Sequence, residues 1–249
     1  MQDNPVALVT GANKGIGLQI AKDLAAHGFI VLVGSRNLEH GEKAAQSVAA
    51  DAHAVQLDVT NQASIAAAAG RIRDEFGRLD VLVNNAGITH AGKPGRSLPE
   101  MAQSGRLSVV SLDELRTVWE TNVFGVIAVT QAMLPLLREA PAGRVVNISS
   151  GGGSLAWNVD PTNPHRTMFG TYSASKTALN AITLAFAFDL ESTGIKVNAA
   201  DPGFTATDLN NNQGTGTVQE AAREPVRLAL LGADGPTGTF SNVDGPVPW

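Results

Sequence analysis

The sequence predicts an α/β chain: a doubly wound, parallel, seven-stranded sheet with helices on both faces, folded as a single domain. Three observations carry that expectation. Short β-branched runs alternate with longer amphipathic stretches along all 249 residues, the pattern of strands joined through crossover helices. Most of the runs are apolar nearly throughout rather than at every second position, as expected of strands covered on both faces. The glycine- and proline-rich pieces each follow a run, which puts them at the carboxyl edge of the sheet, where such folds bind ligands.

The expected strands are Val6–Val9, Ile30–Val33, Ala54–Leu57, Val81–Val83, Arg144–Ile148, Lys196–Ala199 and Gly238–Asn242. Helical segments between them are Ile16–His27, Leu38–Ala50 and Asn61–Phe76, the third opening on an Asn that can accept from free N–H groups. Ser111-Leu-Asp-Glu114 has the form of a capping box and opens a long helix towards Leu137. Thr217-Val-Gln-Glu220 has the same form and opens the last helix, ending near Gly232; another helix runs from Tyr172 to about Glu191 and is closed by Gly194. Gly92–Gly105, Gly151–Gly170 and Asn210–Gly216 read as loops. No break suggests a second domain. A cofactor half over roughly 1–140 and a catalytic half over roughly 141–249 are expected within the one domain.

Composition excludes several chemistries. With 43% hydrophobic residues, a chain of this length buries a full core without staples. There are no cysteines, hence no disulfide, thiolate nucleophile, iron–sulfur cluster or Cys-based zinc site. The histidines at 27, 40, 53, 90 and 165 show no metal-binding spacing, so no metal is expected. A net charge of −5 argues against nucleic acid. The N-terminus has no basic stretch before its short apolar run, and uninterrupted apolar stretches fall far below the ~20 residues of a membrane span. A soluble cytoplasmic protein with no membrane partner is expected.

The chemistry begins where the first strand runs into Thr10-Gly-Ala-Asn-Lys-Gly-Ile-Gly17 and then a helix. Gly11, Gly15 and Gly17 permit a tight turn and close backbone approach. With Asn13, Lys14 and Ile16 between them, they present a helix N-terminus to a pyrophosphate. The second strand ends in Gly34-Ser35-Arg36, where an NAD site usually carries an acidic residue for the ribose 2′-hydroxyl. Here Ser35 takes that place, with Arg36 beside it and Lys14 in the glycine loop. A carboxylate would repel a 2′-phosphate, whereas Arg grips one with a bidentate fork. The expected cofactor is NADP(H).

The chain has a single tyrosine, in Tyr172-Ser-Ala-Ser-Lys176. Positions i and i+4 share a helix face, and an ammonium there is expected to lower the phenol pKa towards the working pH. Tyr172 is thus a candidate general acid or base. The fifth strand ends in Ser150, the fourth in Asn84-Asn-Ala-Gly87, and the long helix carries Thr121-Asn-Val123.

Taken together, the Thr-Gly-x-x-x-Gly-x-Gly loop, Asn-Asn-Ala-Gly, Ser150, Tyr-x-x-x-Lys and Asp201-Pro-Gly203 resemble the short-chain dehydrogenase/reductase family, in order and over nearly the whole chain. The resemblance implies a Rossmann-type oxidoreductase, similar to the NADPH-dependent carbonyl reductases, interconverting a ketone or aldehyde and an alcohol. Tyr172 would pass the proton, Ser150 would polarise the carbonyl, and Lys176 would hold the nicotinamide ribose and depress the tyrosine pKa. Asn122 would anchor a water linking Lys176 to solvent. Asp58, with Val59, would contact the adenine. Asn85, Ala86 and Gly87 would line the adenine-side ribose, and Pro202, Gly203, Thr205 and Thr207 would close over nicotinamide and phosphates.

Two segments depart from the pattern. The stretch between Ser150 and Tyr172 is lengthened and holds Trp157, Asn158, Asp160, His165 and Phe169; another lies between Gly87 and Asn122, with Lys93, Arg96 and Met101. Trp157, Phe169 and Phe204 are candidate walls of an apolar substrate pocket. Insertion before the tyrosine resembles the monomeric carbonyl reductases, so monomer and homo-oligomer both stay open. Two alternatives stand beside the carbonyl reductase. A 3-oxoacyl-carrier-protein ketoreductase would dock its partner on a basic face, for which Arg96, Arg106 and Arg166 are available. A non-catalytic NADP(H)-sensing regulator would usually lack the tyrosine or lysine retained here.

Overall fold

A computed structural model describes residues 4–92 and 97–249. Its core is one sheet built from β1 (Val6–Val9), β2 (Ile30–Ser35), β3 (Ala52–Gln56), β4 (Val81–Asn84), β5 (Arg144–Ile148), β6 (Lys196–Ala200), β7 (Phe240–Asn242) and β8 (Gly245–Pro246), in the order β3-β2-β1-β4-β5-β6-β7-β8. All neighbours are parallel except β7 and β8. The eighth strand corrects the expected seven. A Pro-Val-Pro tail lacks strand character on its own, but Gly245, at φ 127°, turns it back so that Ser241 pairs with Pro246.

Alternate residues of one strand feed two separate cores. Val6 and Leu8 of β1 join a cluster with α3 (Gln62–Phe76), α6 (Gly125–Arg138) and α8 (Thr171–Asp189). Ala7 and Val9 join another with α1 (Gly15–Ala26), α2 (Leu38–Val48) and α9 (Val218–Ala229). Burial of both faces is the reason these strands read as unbroken apolar runs.

The expected long helix is α5 (Leu112–Trp119) running through a π turn at Glu120–Phe124 into α6. By length and composition this rod could cross a membrane; here Val118, Val126, Val129 and Met133 are buried in the protein. Two expected loops contain short helices, α4 (Leu98–Ser104) and α7 (Leu155–Val159). Ser97 and Glu100 form a capping box for α4, and Ser154 caps α7 by accepting from the Trp157 N–H. Both lie among glycines and prolines that mask so short a helix in the sequence.

The strand order reverses at β1, which has β2 on one side and β4 on the other. The crevice outside their carboxyl ends is the ligand position of this topology. A buried ladder ties the sheet to its helices there: Asn84 Nδ2 donates to Thr130 Oγ1 (3.1 Å) and Asn147 Oδ1 (2.9 Å), and Asn147 Nδ2 donates to Thr183 Oγ1 (2.9 Å).

Candidate active site

The glycine loop leaves β1 through Gly11 and Gly15 at φ 63° and 60°, backbone that L side chains rarely adopt. A Cβ on Gly17 would collide with Asn85 Nδ2 and the Gly11 carbonyl. Lys14 precedes α1 in extended conformation with no side-chain cap, leaving first-turn N–H groups for an anion. Asn13 is half-buried and Ile16 packs on the core below. The turn, the close approach and the uncapped helix start fit a dinucleotide pyrophosphate.

Thr10 and Asn85 brace this turn against β4. Thr10 Oγ1 accepts from the N–H groups of Asn85 and Ala86, each at 3.0 Å, and Asn85 Nδ2 donates to the Thr10 and Gly11 carbonyls (2.9 and 3.2 Å). The Asn85 Nδ2 is thus committed to the turn. Ala86 and Gly87 follow at the β1/β4 crevice. Ser35 is buried, its hydroxyl donating to the Asn37 carbonyl at 2.8 Å, while Arg36 is exposed beside it. Asp58 Oδ1 accepts from the Thr60 N–H and hydroxyl, and Val59 is buried against Gly125 at the start of α6.

The segment after β6 folds over the glycine loop. Gly203 takes φ 72°, Thr205 Oγ1 donates to the Pro202 carbonyl (3.0 Å), and the Thr207 methyl lies 3.8 Å from the Cβ position of Gly15. Lys14 Nζ pairs with Asp208 at 2.7 Å across the cleft.

Helix α8 delivers Tyr172 and Lys176 to the same edge. Its start is pinned by Thr171, whose N–H and hydroxyl both donate to the Gly105 carbonyl (2.8 and 2.9 Å). One turn on, Lys176 is buried and donates to the Ile148 carbonyl at 2.7 Å. Gly153 allows this: a Cβ there would sit 2.8 Å from the Lys176 backbone. Ser150 Oγ accepts from the Gly152 N–H (3.1 Å), and its hydroxyl faces Tyr172 so as to favour the phenolate.

Burial, and then the negative charge of Asp201, push Tyr172 up to about 12 against the lowering effect of the Ser150 hydrogen bond. Burial pushes Lys176 down to about 8. Lys176 is itself desolvated and bonded to the Ile148 carbonyl.

Asn122, fully buried in the π turn, accepts from the Ile88 N–H (2.9 Å) and donates to the Ile88 carbonyl (2.8 Å) and Ser175 Oγ (3.0 Å). A Cβ on Gly87 would lie 3.4 Å from Asn122 Oδ1 and 3.7 Å from Lys176 Nζ, which places the asparagine and lysine side by side. Both Nδ2 protons of Asn122 are thereby engaged.

Trp157, on α7, lies with its ring edge 2.7 Å from the Cβ position of Gly151, next to Ser150. Helix α7 is held by the C-terminal strand region: Ser154 Oγ donates to the Pro248 carbonyl (2.6 Å), the Ala156 N–H donates to the Trp249 carbonyl (3.0 Å), and Trp249 stacks on Phe240. Phe204 is half exposed and Phe169 half-buried. Arg106 and Arg166 are exposed; Lys93 and Arg96 lie outside the described residues. No cluster of metal-ligating side chains occurs among the described residues. Asp201, read from the sequence only as part of the Asp-Pro-Gly motif with no role of its own, is buried at the end of β6 and accepts from the Gly203 N–H at 3.0 Å. Its only signal was an acid before Pro-Gly.

A short-chain dehydrogenase family model matches residues 5–217. A short-chain dehydrogenase of Penicillium roqueforti is 36% identical over 239 residues, covering 92% of this chain and 90% of that protein. The (−)-isopiperitenone reductase of Mentha piperita is 33% identical, covering 94% and 95%. Salutaridine reductase from Papaver somniferum superposes with a TM-score of 0.79 at 29% identity, covering 95% and 99% of the two chains. The chain belongs to the short-chain dehydrogenase family, oxidoreductases that act on CH–OH and C=O groups with a nicotinamide cofactor.

Proposed function

We propose that this chain is a carbonyl reductase that takes NADPH and reduces a ketone or aldehyde of apolar character. The observation that carries the reading is the convergence of Ser150, Tyr172 and, one turn along α8, the buried Lys176 at the sheet edge that also holds the glycine loop. The names of the Mentha and Papaver relatives, both reductases, point the same way.

A nicotinamide cofactor, when bound, would supply a hydride to the carbonyl carbon. Ser150 donates a hydrogen bond to the carbonyl oxygen, stabilising the negative charge that develops there. Tyr172, protonated at neutral pH, gives its hydroxyl proton to that oxygen and becomes a phenolate. Lys176 holds the ribose hydroxyls, and its ammonium, or a water chain past the Asn122 backbone, returns the proton. Arg36, exposed at the end of β2, would grip a 2′-phosphate, joined by Lys14 once its ammonium leaves Asp208, which favours NADPH over NADH. Trp157, Phe169 and Phe204 wall the substrate side.

The test follows NADPH and NADH oxidation in parallel over a panel of apolar ketones, aldehydes and acyl thioesters. Turnover is expected with NADPH on the ketones and aldehydes. Turnover confined to acyl thioesters overturns the substrate class, and a preference for NADH overturns the cofactor.

A further inference from the structure

We infer that Trp249 is a positioning residue of the substrate site: through α7 it holds the Trp157 ring beside Ser150, and so governs how bulky a carbonyl compound the site takes. The inference rests on the reading of Trp157 as a wall of that site.

Helix α7 has five residues, too few to stand on its own hydrogen bonds. Two sets of contacts hold it. On one side it grips the turn that follows Ser150. Asn158 Nδ2 donates to the Gly152 carbonyl at 3.0 Å, and the Trp157 ring edge lies 2.7 Å from the Cβ position of Gly151. On the other side, the carbonyls of Pro248 and Trp249 meet the start of the helix. Ser154 Oγ donates to the Pro248 carbonyl at 2.6 Å, and the Ala156 N–H donates to the Trp249 carbonyl at 3.0 Å. Ser154 Oγ also accepts from the Trp157 N–H at 3.1 Å, so one hydroxyl joins Trp157 to this strap.

The strap is stiff and anchored. Pro246 and Pro248 fix φ on either side of Val247, which is buried and donates its N–H to the Phe240 carbonyl at 2.8 Å. Beyond Pro248 one ring contact holds it: Trp249 stacks on Phe240, with centroids 5.5 Å apart and planes 28° apart. Phe240 is itself buried on β7 in a cluster with Ala199 of β6 and Val247. The strap therefore carries the position of the sheet to α7. No residue of α7 is buried, so the helix has no core contact to keep it in place once the strap lets go.

The experiment compares Trp249→Ala, which removes the stack, with Trp249→Phe, which keeps it. In both variants the remaining tryptophans are Trp119 and Trp157. The Trp119 indole N–H is buried, so acrylamide quenching reads chiefly Trp157, which is 39% exposed in the native fold. Quenching is expected to be roughly twofold stronger in Trp249→Ala than in Trp249→Phe, as α7 detaches. In NADPH-dependent turnover, KM for benzylacetone is expected to rise about two- to tenfold in Trp249→Ala, the worth of one aromatic stack. KM for propanal and the Kd of NADPH are expected to stay native, and Trp249→Phe to behave as the native protein. Ser154→Ala, which frees α7 from the Pro248 carbonyl, carries the same KM expectation should Trp249→Ala fail to fold. Equal quenching in the two Trp249 variants overturns the proposal, as does a KM change of the same size for propanal and benzylacetone. Quenching needs no substrate, so it separates from the functional reading: a rise in a protein that reduces no carbonyl of the panel overturns that reading and leaves the hold of Trp249 on Trp157 standing.

Discussion

Lys176 Nζ stands 5.7 Å from the centre of the Tyr172 ring while bonding the Ile148 carbonyl at 2.7 Å. The two residues share a helix face, yet the lysine is oriented by the sheet rather than by the tyrosine. Its ammonium is desolvated on all sides, and the tyrosine keeps its proton.

Burial of Lys176 gives stability a pH dependence. The folded group releases its proton near 8, whereas the unfolded lysine holds it to about 10.5. Between those values the unfolded chain binds more protons, so stability rises with pH, by up to about 3 kcal/mol. Lys176→Met is expected to flatten that rise, measured by urea unfolding at a series of pH values across the window. A slope equal to that of the native protein would show that Lys176 is not desolvated.

Tyr172→Phe keeps the ring and removes the proton. Turnover is expected to fall by about 10²–10⁴-fold while NADPH binding, read by fluorescence titration, changes little. Near-native turnover would remove Tyr172 from the acid role.

Arg36→Asp places a carboxylate where a 2′-phosphate would lie. The expected outcome is a reversal of preference between NADPH and NADH in kcat/KM, with salt dependence lost for NADPH as a charge contact disappears. An unchanged preference would sink the 2′-phosphate argument.

Thr10→Val preserves shape but strips the acceptor shared by the Asn85 and Ala86 N–H groups. Two partly buried donors lose their partner, at about 1–3 kcal/mol each. A lowered Tm and a weaker cofactor Kd are both expected, since the same turn carries the glycine loop. A Kd unchanged despite lower stability would separate the brace from the binding site.

Much of this was legible in the chain because the signals are local. Gly11, Gly15 and Gly17 announce a backbone conformation, and Tyr172 and Lys176 a helix face, within a few residues of sequence. The runs of β1, β2, β4, β5 and β6 show double-sided burial through composition alone. Helices α4 and α7 were missed because five to seven residues between glycines carry too little periodicity. The β8 strand was missed because only its partner β7 makes it one.

What the sequence determined by itself is the sheet of alternating strands and helices and the set of groups delivered to its carboxyl edge: a glycine loop, Ser150, Tyr172 and Lys176. Each depends on residue type and short-range spacing. The tertiary structure alone decided which of them touch, and in which protonation state. The Asn85 side chain turned to the Thr10 loop, Lys176 turned to Ile148, and Asp201 came against Gly151 from another strand. Charge and desolvation act through space, across residues far apart in the chain, so their balance at Tyr172 exists only once the strands are side by side.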